Sequence, residues 1–163
     1  MPNQIKTILV LPRLSAEAKE PNLGEVCISI TNPRQSPAQL AAWHQILRLG
    51  FHDVDYPVGD FKAMTRKQAY ALLEFVHTYK ENSITVHCEW GASRSVAAGL
   101  FISAWLNQKL SLEPLTPNPW VTLMLCQAGW RKALLWRDWR LFWVSITGPL
   151  FFYNRALSTY TGN

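Results

Sequence analysis

Disulfide chemistry has little to work with in this chain: its 163 residues include only three cysteines, Cys27, Cys88 and Cys126. The odd count without paired spacing excludes a disulfide framework of the kind that holds small secreted domains together. Charge is thin as well. Charged residues make up 17% and apolar residues 48%, which excludes a disordered, self-repelling chain. Long apolar runs are missing: no stretch reaches the roughly 18 residues that a membrane span needs. Ile8 to Leu11 is too short for a secretory core, and Pro12-Arg13 ends it. There is no internal repeat and no low-complexity segment.

What remains is the composition of one compact domain of 18.6 kDa. Sixteen Lys and Arg against eleven Asp and Glu give a net charge of +5, which favours anionic partners, phosphorylated ones included. The basic residues are dispersed and accompany no nucleic-acid module, so no specific nucleic acid is expected. Free thiols suit a reducing compartment, and the expected location is the cytoplasm. Cys27 and Cys126 read as small buried hydrophobes. The alternative, a reversible disulfide protecting Cys88, requires a proximity that sequence does not show.

The segment His87-Cys88-Glu89-Trp90-Gly91-Ala92-Ser93-Arg94-Ser95 carries the chemistry. A bare Cys-x5-Arg spacing is expected by chance in roughly one such chain in six. Requiring the His before, the Gly within and the Ser after lowers that to on the order of one in a hundred thousand. The β-rich run Ser83 to Val86 leads in and a helical pattern from Val96 to Leu106 leads out. A loop between strand and helix N-terminus is a ready anion site. A thiol there, beside a guanidinium, is converted largely to the nucleophilic thiolate. Cys88 is the expected nucleophile. Arg94 offers a planar fork for two phosphoryl oxygens. Gly91 lets the backbone bend and approach a ligand closely. The amides of Glu89, Trp90, Gly91, Ala92, Ser93 and Arg94 are expected to turn inward on the phosphate. Ser95 is placed to assist thiolate departure. His87 reads as a buried orienting residue rather than an attacking base.

These residues resemble the signature of the cysteine-dependent protein tyrosine phosphatases, in particular the small dual-specificity-like branch of prokaryotic or phage type. Ile46 to Asp53 is similar to the segment that carries this family's general-acid aspartate, 35 positions before Cys88. Thr7 to Leu11 and Val26 to Ile30 resemble the branch's opening strands. The resemblance covers roughly residues 5 to 135. It implies a phosphatase domain over 1–135, a phosphocysteine intermediate, no metal and no cofactor. It also implies a phosphoprotein substrate, with phosphotyrosine first and phosphoserine or phosphothreonine beside it.

A general acid is needed because an aryl or alkyl oxide leaves poorly unprotonated. Asp53, Asp55 and Asp60 share the right stretch. Asp53 follows the apolar run most directly and is favoured. Asp55 is the alternative general acid, since the loop's length cannot be read, and Asp60 is the third. Those not used are expected to cap turns near Pro57 and Gly59.

Strands are expected at Ile5–Leu11, Glu25–Ile30, Gln45–Phe51 and Ile84–His87, with a short helical or loop piece near Ser15 to Lys19 and a turn at Asn32-Pro33. Thr65 to Gln68 is a capping-box pattern opening a helix with Ala69, Leu72, Leu73, Val76 and Tyr79 on one face. Strands alternating with helices predict a single-domain, three-layer α/β sandwich, its central sheet mostly parallel and flanked by helices. The site is expected at the carboxyl end of the strands.

Residues 136–163 read as an aromatic-rich C-terminal extension packed on the same domain. Asn118 and Pro119 open a helix as N-cap and first residue. That helix is expected to run to Gly148-Pro149 with Trp136, Trp139 and Trp143 on one side. The readings for that side are packing on the core, a dimer or partner contact, and a membrane surface aided by Arg131, Lys132, Arg137 and Arg140. Trp90 is open between pocket rim and packing on the sheet. The loop carries Glu89 and no Lys, which disfavours polyphosphorylated lipid. The rival functions are an RNA 5′-phosphatase, favoured only by a basic channel, and a non-catalytic phospho-binding module. A rhodanese-like sulfur transferase fits the loop less well.

Overall fold

The structure, a computed structural model, describes residues 6–111 and 116–148. Strands β1 (Thr7–Pro12), β2 (Val26–Thr31), β3 (Gln45–Gly50), β4 (Ile84–Cys88) and β5 (Lys109–Ser111) form one five-stranded sheet in the order β3-β2-β4-β1-β5. Every pairing is parallel. β4 is buried along its whole length and β2 from Val26 to Ile30, as parallel strands covered on both faces must be. The expected strands are present with ends shifted by a residue or two; Ile5 lies outside the described residues. β5 was not foreseen. Its Lys-Leu-Ser run is too short for an alternating pattern, and only Leu110 reaches inward, toward α3.

The two faces of the sheet differ in chemistry. Ile8, Val10, Ile28, Ile84 and Val86 share one face with Cys88 and belong to the main apolar core. Helices α2 (Arg66–Thr78), α3 (Arg94–Leu106) and α4 (Pro119–Trp136) cover it. The other face presents Cys27, Ser29, Thr85 and His87, all buried. Helix α1 (Arg13–Ala18) packs over β1 and β4, and Ala16, Ala38 and Trp43 are buried outside the main core. The result is the expected α/β layering of a parallel sheet between two covers.

Local chemistry sets the helix ends. Thr65 and Gln68 form a full capping box at α2, and the Asn118 side chain accepts from Val121 N at 2.9 Å to open α4 behind Pro119. The helix expected to continue to Gly148 is instead two helices. Arg137 is left-handed at φ 53°, and Asp138 caps the second helix, 139–148, by accepting from Leu141 N at 3.0 Å. The other Asp138 oxygen accepts from Trp105 Nε1 at 2.9 Å, which draws the break onto the core. The two helices cross at Gly129, where an added Cβ would lie 3.1 Å from the Phe101 ring and 3.2 Å from Leu141.

The break overturns the expected stripe. Trp136 turns inward, stacked on His77 at 4.2 Å between ring centroids and on Trp105 at 6.1 Å. Trp139 and Trp143, 72% and 61% exposed, lie on the second helix instead. Leu141 and Ser145 of that helix are buried against α4; residues 149–163 of the expected extension lie outside the described ones. Among the described residues no helix is long and apolar enough to cross a membrane.

Candidate active site

The chain leaves β1 toward β2 and leaves β4 toward β5, in opposite directions, so the carboxyl ends of adjacent β1 and β4 enclose a crevice. Pro12 pairs with Cys88 at that end, and Arg13 N donates to Glu89 O at 3.2 Å. The loop 89–93 lies in this crevice. Gly91 adopts φ +67°, and a Cβ there would lie 2.5 Å from Pro12 N and 2.8 Å from the Leu11 carbonyl carbon. The tight bend expected of Gly91 is present. Its close neighbour, however, is the end of β1 rather than the ligand side, because the loop must press against that strand to turn.

Cys88 ends β4, 1% exposed, and its Sγ lies 3.0 Å from Ser95 Oγ. Helix α3 starts at Arg94 with Ser93 at the N-cap position, yet no side chain caps it. The Ser93 hydroxyl, the natural cap, donates instead to Asp53 Oδ1 at 2.8 Å. Among the described residues, no carbonyl or side chain accepts from the amides of Glu89 through Arg94. A helix N-terminus left uncapped beside a cysteine is a set of donors and a positive dipole end without an internal partner.

Arg94 is 2% exposed, and one edge of its guanidinium is fixed. Nη1 donates to Phe51 O at 2.7 Å and to Asn32 Oδ1 at 2.8 Å. Nε is buried with no hydrogen-bond partner, 3.6 Å from Asp53 Oδ2. An orphaned charged donor is costly in a dry site, so the Nε edge is the one suited to an anion.

Asp53 sits at the neck of a protruding loop. His52 N donates to Lys62 O at 2.7 Å and Lys62 N to His52 Nδ1 at 2.8 Å, which closes that neck. Asn118 Nδ2 donates to Asp53 Oδ1 at 2.8 Å and to Val54 O at 3.2 Å. Asp55 and Asp60 lie exposed in the loop beyond, with no ion pair to Arg94. The structure thus brings Asp53 to Ser93 and Arg94, and leaves the other two acids outside.

The remaining expected residues fall as follows. The Glu89 carboxylate accepts from Gln35 Nε2 at 2.8 Å and pairs with Arg13 at 3.6 Å, so its charge is compensated. Trp90 is 80% exposed and does not pack on the sheet. Ala92 and Ser93 are half-buried in the loop. His87 is buried on the face opposite Cys88, and burial pushes its imidazole down to about 4, so it is neutral. Cys27 also lies on that opposite face, out of reach of Cys88, and Cys126 belongs to α4; all three thiols are free. Burial pushes both Cys27 and Cys126 up to about 12. Among the described residues no three His, Cys, Asp or Glu side chains group as metal ligands.

Two participants were missed by sequence reasoning. Asn32 and Asn118 read as a turn residue and a helix cap, and they are both. Their second contacts span 62 and 65 residues, which no local pattern announces. In comparisons with known proteins no family model matched the chain, and neither a curated protein nor a solved structure matched it.

Proposed function

We propose that this chain is a phosphomonoester hydrolase of the cysteine-dependent tyrosine phosphatase kind, acting on phosphotyrosyl protein with phosphoserine and phosphothreonine as further substrates. One observation carries the reading: Cys88 Sγ, bonded to Ser95, lies at an uncapped helix N-terminus beside an arginine whose Nε edge is buried and unpartnered. In the first step Sγ attacks phosphorus and the bond to the leaving oxygen breaks, with Asp53 supplying its proton. Phosphoryl oxygens on Nε replace the 3.6 Å contact with Asp53 and free that carboxyl for the leaving group. In the second step water attacks phosphorus, Asp53 takes its proton, and the S–P bond breaks. Ser95 Oγ–H then bonds the departing sulfur. No metal or cofactor enters this scheme, and free thiols suit it to the cytoplasm.

The RNA 5′-phosphatase reading is weaker because the protruding loop carries Asp55 and Asp60 against Lys62, the reverse of a basic channel. A mere phospho-binding module needs neither Cys88 nor Asp53. The exposed aromatics Tyr56, Phe61 and Trp90 favour an aryl phosphate over a sugar phosphate.

The test is turnover of para-nitrophenyl phosphate in EDTA. Wild type should turn over, Cys88→Ser should be inactive, and Asp53→Ala should lose about 10²–10⁴-fold in kcat while Asp55→Ala loses little. Activity abolished by chelator sinks the metal-free scheme, and an active Cys88→Ser removes the nucleophile. Asp55→Ala crippled with Asp53→Ala intact would exchange the acid.

A further inference from the structure

The turn at residues 32–35 holds a strained arginine at the edge of the site. Gln35 N donates to Asn32 O at 3.2 Å, with Pro33 second and Arg34 third in the turn. Arg34 has φ +66°. A left-handed third residue after proline is the type II pattern, whose natural occupant is glycine or asparagine. Among the described residues the other non-glycine residues with positive φ, Asn107 and Arg137, end helices, where that conformation is customary. Arg34 has no such excuse, and strain of this kind concentrates where a side chain is needed.

The turn is also tied to the phosphate loop at both ends. Asn32 Oδ1 holds Arg94 Nη1, and Gln35 Nε2 holds Glu89 Oε2, each at 2.8 Å. Asn32 N donates back to Gln35 Oε1 at 3.1 Å, closing the turn on itself. Arg34, between these anchors, is exposed and forms no ion pair among the described residues. Arg13, the other nearby arginine, is committed to Glu17 and to the carbonyls of Ser36 and Pro37.

From this placement we infer that Arg34 is a specificity-determining residue that binds a carboxylate flanking the phosphorylated tyrosine, making acidic phosphotyrosyl peptides the preferred substrates. The inference rests on the phosphatase reading above. In an extended peptide an acid two or three residues from the phosphotyrosine lies roughly 7–10 Å away, a span suited to a long side chain two residues from Asn32. A single exposed arginine suits one carboxylate better than a polyphosphate backbone.

The experiment compares kcat/KM for phosphotyrosyl peptides bearing Glu or Ala at the flanking positions, with para-nitrophenyl phosphate as a substrate that cannot reach Arg34. The variants are Arg34→Asn, which suits the left-handed turn, and Arg34→Lys, which retains the charge. Wild type should favour the acidic peptides by roughly three- to fivefold at low salt, the effect of one exposed ion pair, and less at high salt. Arg34→Asn should abolish that preference with unchanged para-nitrophenyl phosphate turnover and an unchanged or higher Tm; Arg34→Lys should retain part of it. Wild type without preference, Arg34→Asn with preference intact, or a 5′-phosphorylated oligoribonucleotide turned over faster than either peptide each overturns the inference. No para-nitrophenyl phosphate turnover by wild type overturns the phosphatase reading, and this one with it.

Discussion

At the scale of single residues, the guanidinium of Arg94 divides its work between two edges. Nη1 satisfies the buried Phe51 carbonyl and Asn32, and Nε is buried without a hydrogen-bond partner, 3.6 Å from Asp53 Oδ2. An ammonium cannot serve both, since its donors radiate from one nitrogen on a flexible stem. Arg94→Lys should therefore lose about 10²–10³-fold in kcat/KM on para-nitrophenyl phosphate, with inhibition by orthophosphate weakened in parallel. A loss under tenfold would show that the fork is not used as a fork. The grouping of Cys88, Arg94 and Ser95 was legible because all three belong to one contiguous segment whose residue types answer one chemical need. Ser93 was legible only in part. Its amide was expected at the phosphate, but its hydroxyl, diverted from helix capping to Asp53, is a contact across 40 residues.

At the scale of elements, α4 acts on the site through its first turn. Asn118 is 1% exposed, caps α4 with Oδ1, donates through Nδ2 to Asp53, and donates its own N–H to Ser93 O at 3.2 Å. One residue thus registers the loop after β3, the loop 89–93 and a helix. Asn118→Asp separates these duties, because aspartate caps as well as asparagine. It offers no N–H to Asp53, however, and places a second carboxylate beside it. The helix should be retained and kcat should fall. Tm at neutral pH should drop as two carboxylates share one buried site, and the alkaline limb of the kcat/KM profile, where the protonated acid is lost, should move upward. An unchanged profile would reduce Asn118 to a cap. The elements themselves were largely readable from capping chemistry and apolar period: Thr65 to Gln68 is a capping box, and Asn118-Pro119 opens α4. The break at Arg137 was not, since Arg-Asp carries no glycine or proline, and its cause is Asp138 bonding Trp105, 33 residues away.

At the scale of the whole molecule, the sheet separates an apolar core from a polar buried face, and that face sets how the fold responds to acid. Burial lowers the His87 imidazole from its usual 6.5 to about 4, the adjacent Cys88 backbone offsetting it in part. The unfolded chain takes up a proton there near pH 6.5, whereas the folded chain does so only near 4. Between these values the unfolded state binds more protons, so stability falls as pH drops through that window, by about 3 kcal/mol in all. Carboxylates act lower. Burial raises the Glu25 carboxyl, but Lys19, the Asn22 N–H and Thr85 outweigh it, and Glu17 is lowered chiefly by Arg13. Their stabilisation is lost only below the ordinary carboxylate range, as pH falls through their folded values. Replacing His87 with Asn, which has no charge to suppress, should leave stability nearly flat from pH 6.5 to 4.5 while wild type declines. Urea unfolding across that range checks it. Parallel decline of both proteins would mean that His87 protonates without resistance, and that the polar face is wetter than its burial implies.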